Sequence, residues 1–157
     1  MLRASVYERL RRSNATLIAT RDLGEGFGVA RWSNLRDRVA YENDRCHVLS
    51  LYTEGGSASR RADRPSGHGF PGALTLMPQG AQSDWQIEGA FAFQHLYIPD
   101  AALRAFAAEV LEIDPARVAL PEVTYAEDAG LVARLAALEA AAAPHTARAA
   151  LWEVLHH

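Results

Sequence analysis

The chain has 157 residues, 49% of them hydrophobic and 22% charged, with a formal net charge of −3. That length suits one domain able to bury its own core, and the charge argues against a module that grips a phosphate backbone by itself. No apolar run approaches the ~20 residues that span a bilayer, so no membrane partner is expected.

The start, MLRASVYERLRRSN, carries arginines but no apolar stretch after them, unlike a secretory signal. Cys46 stands alone and cannot form an internal disulfide, which fits a reducing cytoplasm. All sixteen basic residues are arginine, twelve of them within residues 1–66 beside eight acids. With the alanine-rich C-terminal third, this bias suggests a GC-rich bacterial genome and speaks of codons rather than function.

The first part reads as short strands between turn residues. GFGVARWSN alternates Phe27, Val29 and Arg31 with Gly28, Ala30 and Trp32, and Glu25 in GEGFG reads as a hairpin turn. CHVLSLYTEGG carries the strongest strand signal and closes on Gly55-Gly56. SASRRADRPSGHGFPG is a turn-rich loop, followed by three short strands in ALTLMPQG, SDWQIEG and AFAFQHLYIP. Strands this short, punctuated by Gly and Pro, predict a barrel or sandwich.

At Pro99-Asp100 the period changes to about 3.6 residues. Leu103, Phe106, Val110 and Leu111 share a helical face, with Asp100 placed to cap it. Asp114-Pro115 opens a helical turn that Pro121 interrupts. A second helix is predicted from Asp128 through Leu131, Leu135 and Leu138 into Ala140–Ala143, and a third after Pro144, carrying Leu151, Trp152, Val154 and Leu155. The chain stops on that helix without a terminating glycine, as the front part of a longer chain would. The division expected is a barrel over 1–98 and a helical region over 99–157.

Gly72, Pro78 and Gly80 in GALTLMPQG follow the order G-x5-P-x-G, which resembles the second motif of cupins. That motif normally continues to a metal-binding histidine, where this chain has Ser83. The first cupin motif carries an H-x-H pair and a glutamate, yet SLYTEGGSASRRADR contains no histidine. The resemblance thus implies the barrel, without the usual metal and with no cofactor.

HVLSLYTEGG, LMPQGAQSDWQIEG, FQHLYIPDAALRAFAAEVL and DPARVAL, in that order, resemble the N-terminal sensor domain of arabinose-regulator (AraC) type transcription factors over roughly residues 5–155. The fold class implied is mainly β with C-terminal α: a cupin-like jelly-roll barrel followed by about three helices. The family's DNA-reading helix-turn-helix units lie in a C-terminal domain outside this sequence, so DNA would be reached only through it. The function implied is a non-enzymatic domain that binds a small-molecule effector in the barrel and pairs as a homodimer. The alternative is a small cupin enzyme, an isomerase or dioxygenase, with a non-standard metal site.

His47, His68 and His95 show no ligand-like spacing and read as pocket or core histidines. Cys46 and His47 are neighbours on a strand and so point to opposite faces, which denies them a thiolate–imidazole pair and leaves Cys46 a buried structural residue. His47, Leu49 and Leu51 share one strand face, and Phe93, His95 and Tyr97 share another; if both point inward, they line an effector cavity with Trp85 as a stacking surface. The opposite phase, with Val48, Ser50, Tyr52, Gln94 and Leu96 inward, is also open, as is a barrel filled solid. Arg60, Arg61 and Arg64 would suit an anionic effector, but a charge run on a loop reads first as a solvated face. Leu131, Leu135 and Leu138 form one helical stripe, and with Leu151 and Leu155 they are the expected dimer interface.

Overall fold

The computed structural model describes residues 4–157, so the first three residues of the start discussed above lie outside it. Helix α1 (Ser5–Arg11) precedes eight strands: β1 (Thr16–Gly24), β2 (Phe27–Asn34), β3 (Asp37–Glu42), β4 (Cys46–Gly55), β5 (Ser59–Arg61), β6 (Leu74–Met77), β7 (Gln82–Ile87) and β8 (Phe91–Pro99). There follow α2 (Asp100–Glu109), a 3-10 turn (Pro115–Arg117), β9 (Val123–Ala126), α3 (Ala129–Ala140) and α4 (Pro144–His156). Among the described residues no helix is long and apolar enough to cross a membrane.

The strands form a six-stranded sheet in the order β1-β2-β8-β4-β6-β9 and a three-stranded sheet in the order β3-β7-β5, all pairings antiparallel. Their facing sides enclose one core, in which Val39, Tyr41, Trp85 and Ile87 of the small sheet meet Trp32, Val48, Tyr52, Met77, Phe93 and Tyr97 of the large one. The other side of the large sheet carries a second core, where Phe27, Leu49, Leu51, Leu74, Leu96 and Ile98 meet Leu103 of α2, Leu135 and Leu138 of α3, and Leu151 and Val154 of α4. The molecule is thus three layers: small sheet, large sheet, helices.

Local chemistry explains the joints. Gly24, Glu25 and Gly26 all adopt positive φ, making the β1–β2 hairpin expected at Glu25. Pro78 to Ala81 forms the tight turn between β6 and β7, with Gly80 at φ +89 and the Ala81 N–H donating to the Pro78 carbonyl at 3.0 Å. Asp128 caps α3, its side chain accepting from the Leu131 N–H, and Pro144 occupies the first turn of α4. Asp114 likewise caps the 3-10 turn.

Several expectations need correction. Asp100 does not cap α2, because Pro99 holds the cap position without a side-chain bond; the Asp100 carboxylate is bonded instead to His47 and Arg104. The region after residue 98 is not purely helical, since β9 returns to the edge of the large sheet beside β6. Leu135, Leu138 and Leu151 are not surplus surface: they are 1%, 0% and 0% exposed, consumed by the chain's own helical layer. Leu131 and Leu155 pack only partly buried at its rim.

Candidate functional site: the barrel interior

Register decides which side chains can share the barrel interior. Residues directly opposite on neighbouring antiparallel strands lie on one face of the sheet. In the β4–β8 pair Leu49 faces Leu96, Ser50 faces His95 and Tyr52 faces Phe93. His47, Leu49 and Leu51 therefore lie on the face that meets the helices, while Phe93, His95 and Tyr97 face inward. The joint cavity face expected from His47 and His95 does not form. β8 has the inward phase first assigned to it, whereas β4 has the opposite one, with Val48, Ser50 and Tyr52 inside.

His47 is a staple instead. The Gln79 backbone N–H, which can only donate, gives its hydrogen to Nδ1 at 2.9 Å. The Nε2 proton then goes to Asp100 Oδ1 at 2.8 Å. This ties the Pro78–Gly80 turn to the start of α2. Bonds from Arg104 and then His47 hold the Asp100 carboxyl below its ordinary range. On the inner face Cys46 is buried, and burial pushes its thiol up to about 12, far from a nucleophile.

The cavity between the two sheets is walled by Tyr41, Tyr52, Trp85, Phe91 and Phe93 with Met77 and Ile87, and Leu10 of α1 lines it as well. A water molecule's centre can reach about 20 Å³ of it, room for one or a few waters. No lining residue is acidic, and none is lysine or arginine. Apart from Leu10, all lie on strands.

Across its floor runs a polar row. Thr75 of β6 is opposite Ser50 of β4, which is opposite His95 of β8. Two strand spacings of roughly 4.8 Å make the row about 10 Å long. The Thr75 hydroxyl is buried without a hydrogen-bond partner on the protein. His95 takes one bond: Trp32 Nε1–H donates to the Tyr97 oxygen at 3.3 Å, which leaves the Tyr97 hydroxyl to donate to His95 Nδ1, also at 3.3 Å. The neutral ring then carries its proton on Nε2.

Burial holds His95 down to about 3, so it stays uncharged at neutral pH. An unfolded chain's histidine takes up its proton near pH 6.5, the native one only near 3. Between those values the unfolded state binds more protons, so native stability is full above about 6.5 and falls as pH drops. The expected slope approaches 1.4 kcal/mol per pH unit for this one group. Urea midpoints at pH 7 and pH 5 should therefore converge in His95→Gln relative to the unsubstituted chain. Equal pH slopes in both proteins would refute a buried neutral His95.

Three other polar groups of the wall are already engaged. Tyr52 shares a bond with Ser59 at 2.9 Å, the Trp85 indole donates to Ser83 Oγ at 2.8 Å, and Asn34 binds Asp37 and the Leu35 N–H. Gly56 and Gly69 hold the Tyr52 ring in place: a Cβ on either would fall 2.4 or 2.3 Å from its carbons.

Comparison with known proteins places this architecture. No family model matches the sequence, and no curated protein matches it. Among solved structures, a protein with a cupin-like fold from Ralstonia eutropha is 13% identical, with a TM-score of 0.42 over 55% of this chain and 54% of that one. The EutQ protein of Clostridium difficile is 13% identical, with a TM-score of 0.47 over 62% of this chain and 81% of that one. CuxR, an AraC-like transcriptional activator, is 12% identical, with a TM-score of 0.54 over 92% of this chain; the match spans 56% of CuxR's length.

With two facing antiparallel sheets around one core and helices behind the larger sheet, the fold is the cupin-like barrel expected from the sequence.

Cupin barrels commonly hold a metal, but the residues here do not fit one. Ser83, at the motif's histidine position, is occupied by the Trp85 indole, and His47 lies on the far side of the sheet from His95. Among the described residues no three His, Cys, Asp or Glu side chains gather as a ligand set.

Of the residues expected at the cavity, the structure brings together Trp85, Phe93 and His95, with Tyr97 behind as the support of His95. It does not bring His47, Leu49 or Leu51 there. Sequence reasoning passed over Thr75 and placed Ser50 only in the second phase. The available signal was a lone hydroxyl residue inside each apolar run, LSL and LTL.

Arg61 also departs from expectation. Its side chain is 0% exposed and so does not lie on the solvated face assigned to it. Its guanidinium binds Asp63 at 2.6 Å, Glu122 at 2.6 Å and Thr124 at 3.2 Å, and sits 5.5 Å from the centre of the Trp85 ring. Arg60 and Arg64 are exposed, as expected of the loop.

Proposed function

We propose that this chain is the ligand-sensing domain of an AraC-type transcription regulator, a binding module rather than an enzyme. In this reading it acts as a homodimer and reaches DNA only through a separate helix-turn-helix domain. The observation that carries it is the polar row Thr75–Ser50–His95, set in an uncharged aromatic cavity with a hydroxyl left unpartnered. Such a group is costly to bury unless something completes it. The likeness of fold to CuxR, which extends through the helices, supports the regulatory half of the reading.

A route for the signal is built into the same strands. Ser50 and His95 face the cavity, while their neighbours Leu49, Leu51 and Leu96 pack on the helices. Gln94 reaches through that layer and donates from Nε2 to the Leu135 carbonyl of α3 at 3.2 Å. A ligand that shifts β4 or β8 thereby moves the footing of α3. It regulates only if it prefers one arrangement of the helices over another.

The test is incubation of the purified protein with a small-molecule library, scored by thermal shift and by mass spectrometry of the recovered compound. One molecule retained per chain and released unchanged is the expected result. Conversion of the retained compound into a product would overturn the binding-module reading.

A further inference from the structure

We propose that the barrel ligand is an uncharged molecule with an apolar body and a single oxygen-bearing edge, of the alcohol or ketone class, read by Thr75, Ser50 and His95. This rests on the binding role proposed above and narrows it to a chemical class. The exclusion of charge follows from the lining. A carboxylate or phosphate inside would meet no arginine or lysine, and an ammonium would meet no acid. The nearby Arg61 is not available, since Asp63 and Glu122 already neutralise it.

Polyhydroxylated ligands are excluded by what the walls have left to offer. Tyr52, Asn34 and Trp85 each line the cavity but spend their polar atoms on protein partners. A sugar would turn most of its hydroxyls against rings that cannot bond them. The uncommitted groups concentrate in the row: the Thr75 hydroxyl without a partner, the Ser50 hydroxyl, and the His95 Nε2–H. The Tyr41 hydroxyl, from the small sheet, is the further lining group not tied to Ser59, Ser83 or Asp37. The row supplies donors and acceptors along one edge, with the Tyr41 hydroxyl on the facing sheet, while Phe91, Phe93, Trp85, Met77 and Ile87 cover the rest. The ligand must be small or must displace a wall, and Leu10 is the wall residue not fixed in a strand.

A series of similar shape separates the possibilities: toluene, benzyl alcohol, benzoate and benzylammonium, with glucose as the polyhydroxylated member. Binding is measured by calorimetry on the whole protein and on Leu10→Ala, which opens room for a ring. Benzyl alcohol should bind, about 2- to 10-fold tighter than toluene, the scale of one hydrogen bond. Benzoate, benzylammonium and glucose should not bind measurably. Thr75→Val should bring benzyl alcohol down toward toluene, and should raise the Tm by roughly 2 °C or more because a buried orphan hydroxyl is gone. A merely structural threonine would lose stability on the same change. Tighter binding of benzoate, benzylammonium or glucose than of benzyl alcohol overturns the class and leaves the binding role standing. Equal affinity for toluene and benzyl alcohol, or a lower Tm in Thr75→Val, removes the row as the reading element. Failure of every member in both proteins would remove the binding role as well.

Discussion

Replacing Arg61 by methionine is expected to lower stability by about 3 kcal/mol, the low end of the range seen when one partner of a buried ion pair is removed. The low end applies because the stranded carboxylates are not sealed in: the side chains of Asp63 and Glu122 are 31% and 24% exposed and recover some hydration. For a domain of this length that loss corresponds to a fall in Tm of roughly 6–12 °C. Lysine should not rescue it, since one ammonium cannot reproduce bonds to Asp63, Glu122, Thr124 and the Gln82 carbonyl from a single planar fork. The same site has a pH signature. The bonds from Arg61 hold the Asp63 carboxyl down to about 2, below its ordinary 3.8. A depressed carboxyl contributes stability above its unfolded value and loses that contribution as pH falls through its folded one, so the window runs from about pH 4 down to 2. Urea titrations should show Arg61→Met losing less than the unsubstituted protein across that window. A change of under about 0.5 kcal/mol at pH 7, the scale of an ordinary surface substitution, would show that the cluster is ornamental to the fold.

Arg61 also shows where sequence reading stops. Arginine in a Gly/Pro-punctuated loop looks solvated because nothing local reveals its partners; Glu122 lies 61 residues away and is brought in by the return of β9. That strand was itself illegible, being four partly exposed residues, VTYA, soon after Pro121. Helix α1 was missed for a related reason: seven residues with two arginines in the last turn give too short a stripe to separate from a polar leader. The longer helices were legible because their ends carry chemistry that acts locally, Asp128 as a cap and Pro144 in a first turn.

Strand phase was legible in part. β4 is buried on both faces from Cys46 through Tyr52, so its apolar run carries no alternation to read. The sequence therefore left two phases open, and only pairing with β8 selects between them. Once Ser50 is known to face His95, the row follows, because Thr75 is fixed opposite Ser50 by the β4–β6 register. Barrel and helical cover were thus readable from turn residues and period, whereas the composition of the cavity needed the register.

The leucine stripe on α3 yields the other large effect. Leu135 is 1% exposed and packs in the same apolar layer as Leu96, Leu138 and Leu151, so its partner is the sheet of its own chain. Leu135→Ala should cost about 2–5 kcal/mol, by lost transfer energy and the cavity left behind. Leu135→Arg should do more, since a guanidinium there enters an apolar layer and either stays buried at a high desolvation cost or forces α3 off the sheet. Against a typical native stability of 5–15 kcal/mol, the expected product is insoluble or unfolded protein, read by circular dichroism and by the absence of a cooperative melt. Leu131, one turn earlier, is only partly buried at the rim of the layer, and there an arginine can turn its head to water. Leu131→Arg should therefore remain folded. If two copies pair through the outward side of the helices, as proposed, it should also shift the mass by light scattering from dimer to monomer. A soluble, folded Leu135→Arg monomer would reverse this assignment, placing Leu135 between subunits and leaving the helical layer of one chain incomplete without its copy.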